Sequence, residues 1–318
     1  MTTSKIFSQW DETHSELWSR QPIRLEHEMH KSPGFSMDDL ARLIEGYPRE
    51  HYGLVQTGGR GSSRVWREGE IGNLSGREVI DAISRGELWL NLREVGSVDS
   101  RYRKLVDLMF EEVAAKVAGF EVPQFHQEGI LISSPRAEVY YHADLPWQSL
   151  VQIVGRKRVY VYPNTAPFIT PEHLEDITLF NVEVDLPYKK WYDDHAKVLD
   201  IGPGQMLNWP LNAPHRVENL DTFSVSLTIS YTDDKIRRSE VINFANGMLR
   251  HRFSYQPKSR SLHGPSYFAK RAMRKLLRNS SWLKRARADR LPSRCRPTRK
   301  DRRSAEGGMR TADRRWWY

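Results

Sequence analysis

The segment 137-AEVYYHAD-144 decides how this chain is read. It is rich in aromatic and β-branched residues, turn residues bound it, and it ends on His142 and Asp144. Residues two apart in a strand share a face, so this imidazole and this carboxylate project together from the strand's end. Neighbouring runs have the same character: 129-GILISS-134, 149-SLVQIVGRKRVYVY-162, 205-QMLNWP-210 and 222-TFSVSLTISY-231, with Pro, Gly, Asn and Asp between them. Short strands at this spacing predict an antiparallel barrel or sandwich over residues 123–232.

Outward from that segment the periodicity changes. Residues 1–122 read as a helical flank with one short strand. Ser36 with Asp39, and Ser75 with Glu78, cap helices whose apolar residues recur at helical spacing; Tyr102 to Val117 keeps that spacing, with Gly119 as its cap. The short strand is Leu88-Trp89-Leu90-Asn91-Leu92. Helical signals return over 233–287, from Ser239 to Leu249 and from Pro265 to Arg278. Residues 288–318 are Arg-rich without an apolar period and read as a disordered tail.

The chain has 318 residues, 39% hydrophobic and 28% charged, with 10 Trp, which excludes disorder throughout and provides for a sizeable core. No apolar run has transmembrane length, and no secretory stretch follows Lys5, so the reading is cytoplasmic. The lone cysteine, Cys295, excludes an internal disulfide and a cysteine zinc site. The net charge of +9 hides an asymmetry: residues 251–318 hold 21 Lys/Arg and four acids, so the body before them is net acidic. That segment suits nucleic acid or an anionic surface, or is a solvated extension. Within it, 265-PSYFAKRAMRKLLRN-279 is a basic amphipathic helix, able to meet lipid or nucleic acid, or to pack on the body or on a second subunit in a homodimer.

The chemistry turns on what joins His142 and Asp144. His215, in 209-WPLNAPH-215, can add a second imidazole. Two His and one carboxylate on one face, with open positions opposite, suit non-haem Fe(II). Alone, a His-x-Asp pair is a short pattern that also occurs by chance. Further parts match in order, however. Lys157 lies in a Gln152 to Pro163 run, and 204-GQMLNWPLNAPH-215 leads into the distal histidine. This ensemble resembles the JmjC or cupin-like dioxygenases, their asparaginyl-hydroxylase-like branch above all, over roughly residues 125–232.

The resemblance implies a mainly β fold, a double-stranded β-helix of the jelly-roll, cupin-like kind. It implies Fe(II) held by His142, Asp144 and His215, with 2-oxoglutarate as cosubstrate and its remote carboxylate paired by Lys157. A compact ammonium suits that pairing. Alternation also puts Lys157 on one face with Val159 and Val161, while Arg156 and Arg158 point away. Val139 stands where the family often has a cosubstrate-touching Thr, and Tyr140, two before His142, can offer a hydroxyl instead. Ser224, Ser226, Thr228 and Ser230 make one face of the last strand hydroxylated, and Thr228 matches a cosubstrate-side position. Gln148 takes a place often held by Asn; Gln205 replaces an acid that touches no metal in the family pattern. The remaining histidines form no comparable constellation.

The activity implied is an Fe(II)/2-oxoglutarate-dependent hydroxylase of an unknown protein or small-molecule acceptor. Two alternatives stand beside it: a catalytically inactive cupin-like binding or regulatory protein with a polyanion-binding tail, and a Zn or Mn cupin such as an isomerase. The 164–197 segment is a candidate acceptor-binding loop without readable specificity.

Overall fold

In the computed structural model, which describes residues 5–57, 66–181 and 186–290, alternation builds two antiparallel sheets. Before residue 123 come β1 (Phe7–Gln9), α1 (Glu12–Leu17), β2 (Ile23–His27), α2 (Met37–Ile44), β3 (Tyr52–Thr57), β4 (Trp66–Gly69), α3 (Gly76–Arg85), β5 (Leu88–Leu92), α4 (Val95–Val98) and α5 (Ser100–Lys116). The barrel strands are β6 (His126–Ser133), β7 (Glu138–His142), β8 (Trp147–Val154), β9 (Lys157–Val161), β10 (Lys197–Ile201), β11 (Gln205–Asn208), β12 (His215–Asn219) and β13 (Ser224–Tyr231), with α6 (Pro171–Phe180) between β9 and β10. Then follow α7 (Asp234–Phe253), α8 (Gly264–Leu277) and α9 (Ser281–Arg290).

The large sheet runs β1-β2-β11-β8-β13-β6-β5-β3-β4 and the small one β10-β9-β12-β7. From β6 to β9 the chain changes sheet at every step, and again from β10 to β13, which is the winding of a double-stranded β-helix. Its lumen is packed by Leu131, Leu150 and Leu207 of the large sheet against Val159, Val161, Ile201 and Val217 of the small one. The opposite face of β8 and β13, with Val151, Ile153, Leu227 and Ile229, joins a second core beneath α2, α3 and α5. Outside the small sheet, Tyr141 and Tyr162 pack with Phe168 and Ile177 of the α6 region.

Three sequence expectations need correction. Residues 1–122 are more than a helical flank with one strand: they supply five strands to the large sheet, which crosses the expected boundary at 123. β2 pairs with β11 and β5 with β6, so neither barrel strand is left as a bare edge. Second, 149–162 is two strands in different sheets. The break is at Gly155, whose φ is +75° and whose added Cβ would stand 2.1 Å from the Phe223 carbonyl oxygen, so only glycine fits. Third, the 164–197 loop contains α6, opened by Thr170 and Pro171. At the carboxyl end, α9 takes in residues 288–290, and the rest of the expected tail, 291–318 with Cys295, lies outside the described residues. Among the described residues no helix is long and apolar enough to cross a membrane.

Candidate metal centre

Strand pairing brings distant residues together. His142 ends β7, His215 opens β12, and the two are direct partners in the register, their rings 4.1 Å apart. Asp144 follows two residues beyond β7. One donor atom from each of His142, Asp144 and His215 lies within 4.8 Å of the others, a group that one cation can draw in.

Each imidazole is aimed from its far side. His142 Nδ1 is 2.7 Å from the Tyr140 carbonyl oxygen and His215 Nδ1 is 3.1 Å from that of Ala213. A carbonyl only accepts, so in both rings Nδ1 donates, and Nε2 is the nitrogen whose lone pair a neutral ring turns to a metal. His215 Nε2 then faces Asp144 Oδ2 at 3.3 Å. Two acceptors this close repel unless a positive charge lies between them. Burial pushes the Asp144 carboxyl up and, with His142 beside it, holds His215 well below the usual imidazole range. Two neutral imidazoles and one carboxylate on one side fit a divalent first-row metal.

The loops carrying the ligands are tied together. Asn212 Nδ2 donates to the carbonyls of Asp144 at 2.8 Å and Leu145 at 3.2 Å. Asn212 itself has φ +58°, a left-handed conformation that Asn tolerates. Trp209 packs on His215 with centroids 4.8 Å apart. Sequence reading passed over Asn212, although an Asn between Pro210 and Pro214 is a turn signal.

Lys157 opens β9 and is 2% exposed, on one face with Val159 and Val161, as alternation requires. Among the described residues it has no hydrogen-bond or ion-pair partner, and burial alone pulls its pKa down to about 7. It pairs with Asn219, at the other end of β12 from His215. At the usual strand rise the Lys157 and Val161 backbones are roughly 13 Å apart, a span that a lysine side chain and a five-carbon diacid together can fill.

The hydroxylated face of β13 is partly committed. Gln152 donates to Ser224 Oγ at 2.9 Å and accepts from Ser226 Oγ at 2.7 Å, and all three are fully buried. Thr228 Oγ1 donates to the Gly129 carbonyl at 3.1 Å, leaving its lone pairs as acceptors. Gln148 pairs with Ser230 and shares the lumen face with Leu150 and Gln152. Tyr140 needs correction. The β7–β12 register slips between Val139 and His142, and Val139 packs in the lumen core, so alternation no longer puts Tyr140 on the face of His142. Its main-chain carbonyl, rather than its place on that face, ties it to His142.

No family model matches the chain. HSPB1-associated protein 1 of Mus musculus and that of Rattus norvegicus are each 30% identical to it over 143 residues, covering 42% of this chain and 30% of their own length. Among solved structures the chain is similar to ycfD of Escherichia coli, with a TM-score of 0.49 at 16% identity, covering 88% of this chain and 70% of that one. It is also similar to the E. coli ribosomal oxygenase YcfD in complex with cobalt and succinic acid, with a TM-score of 0.48 at 18% identity over 88% and 69% of the two chains. For the complex with cobalt and 2-oxoglutarate the TM-score is 0.46 at 17% identity over 87% and 69%. The winding of a double-stranded β-helix brings His142, Asp144 and His215 together where β7 meets β12.

Proposed function

We propose that the chain is an Fe(II)- and 2-oxoglutarate-dependent oxygenase, a hydroxylase, in which His142, Asp144 and His215 hold the iron and Lys157 pairs with the remote carboxylate of 2-oxoglutarate. The observation that carries this reading is the buried, partnerless Lys157 in the same lumen as a three-donor face. An unpaired buried ammonium costs several kcal/mol, and a dianionic ligand offsets that cost. Iron held by His142, Asp144 and His215 would supply oxygen activation coupled to decarboxylation of 2-oxoglutarate to succinate and carbon dioxide, one oxygen atom entering succinate and the other the acceptor.

The chain's own groups do the rest. The Tyr140 and Ala213 carbonyls keep both Nε2 lone pairs turned inward, and Asn212 sets the height of Asp144. Val159 and Val161, on the same face of β9, pack the apolar lumen into which that face turns Lys157. Gln148 and Thr228 are the polar groups proposed to touch cosubstrate, Thr228 as a donor only once it leaves Gly129.

The test uses purified protein prepared anaerobically with Fe(II). Wild type should decarboxylate 2-oxoglutarate when oxygen is admitted, and His215→Ala should abolish this while the thermal transition persists. Lys157→Ala should keep iron but weaken 2-oxoglutarate binding about tenfold or more, the size of a lost charge-assisted contact. Unchanged 2-oxoglutarate affinity in Lys157→Ala would overturn the assignment.

A further inference from the structure

The inner side of α8 is fully engaged. Tyr267 is buried with Val241 and Ile242, and Met273 and Leu277 pack against the cluster around Phe180 and Leu283. Lys270 Nζ donates to the Ser259 carbonyl, and Arg274 pairs with Glu240 at 3.5 Å. The helix is therefore held rigidly by one side, and the other side is presented to solvent.

That outer side divides into two adjacent rows. At helical spacing, Phe268, Ala272 and Leu276 form one row, and Arg271, Lys275 and Arg278 the other. Phe268 is 60% exposed and Leu276 78%. Among the described residues none of the three outer cations has a carboxylate partner, and α8 contains no acid. Large apolar side chains left in water beside uncompensated cations call for a partner that is both anionic and apolar. A second copy of this chain meets the first need badly, since a two-fold axis through this face sets Arg271 and Lys275 against their own copies. A nucleic acid suits the cationic row but leaves aliphatic Leu276 uncovered. An anionic bilayer covers both rows, taking Phe268 and Leu276 below the headgroups and the cations at their level.

We propose that the outer face of α8 is a docking surface for an anionic lipid bilayer, on which the protein lies peripherally. The test is co-sedimentation of the full chain with vesicles of phosphatidylcholine alone or mixed with phosphatidylserine, at moderate salt. Wild type should bind only the mixed vesicles. Phe268→Ser with Leu276→Ser keeps every charge and should weaken binding about tenfold or more; Arg271→Glu with Lys275→Glu should abolish it. Both pairs are exposed, so the thermal transition should not move and serves as the folding check. The proposal is overturned if wild type ignores the mixed vesicles, or if the double Ser variant binds them as wild type does. It is equally overturned if single-stranded RNA or duplex DNA is bound while vesicles are not.

Discussion

Lys157 gives the protein a pH signature whose sign is fixed by burial. The ordinary lysine value is 10.5 and the folded one is about 7, so between them the unfolded chain holds a proton that the folded chain has shed. Stability of the ligand-free protein should therefore rise as pH climbs from about 7 towards 10, with the full burial cost present below 7. Lys157→Met removes that cost. It should stabilise the protein most at or below neutral pH, by at most about 3 to 5 kcal/mol, and approach wild type near pH 10. Urea unfolding at two pH values measures this, and equal stabilisation at both would remove the ammonium as its source. Asn212 separates in the same way into a backbone part and a side-chain part. Asn212→Gly keeps the left-handed turn and loses the amide bonds, so Co(II) affinity should fall about tenfold with stability changed by about 1 kcal/mol or less. Asn212→Ala should lose both, by Co(II) titration and thermal melt. Strand alternation set His142 beside Asp144 in the sequence, and the family resemblance added His215 to them; the place of Tyr140 was not legible, because one extra residue in β7 resets the alternation.

Two helices were read well from their caps, Ser36 and Ser75 opening α2 and α3 as expected, whereas α7 starts at Asp234 behind an Asp233 cap, five residues before the expected Ser239. Strands at the sheet margins were harder. In β2, Ile23, Leu25 and His27 are buried and Arg24 is exposed, a period of two visible in the sequence but only five residues long and ending on a polar residue. Burial lowers His27 to about 4, so it sits in the sheet as a neutral side chain. The split between β8 and β9 was hidden because both halves are rich in β-branched residues and a single Gly155 parts them. That position can be tested against another glycine of nearly the same conformation. Gly155→Ala places a Cβ against a main-chain carbonyl that cannot swing away, and should cost more than about 3 kcal/mol. Gly119→Ala, at φ +76° with nothing within 4 Å, should cost only about 1 kcal/mol. Equal costs in urea unfolding would mean that the turn at Gly155 relaxes.

At the scale of the whole molecule, the large sheet makes the amino-terminal third part of the barrel's own structure. Residues 123–232 alone would lose β2 from the edge of β11 and β5 from that of β6, and would bare Val151, Ile153, Leu227 and Ile229. That fragment should show no cooperative thermal transition, whereas residues 5–290 should melt as one unit; a cooperative melt of the fragment would make the flank an accessory. The direct pairing of His142 with His215 has a consequence for the order of events in folding. The strands that carry them are joined by a long stretch holding four other strands and α6, so their meeting closes one of the barrel's larger loops and comes late, after nearer hairpins have formed. A chain still emerging or half-folded therefore offers an ion only scattered donors, and the cation arrives as a lock on a finished barrel rather than as a nucleus for building it: it should slow unfolding and leave the rate of folding almost untouched.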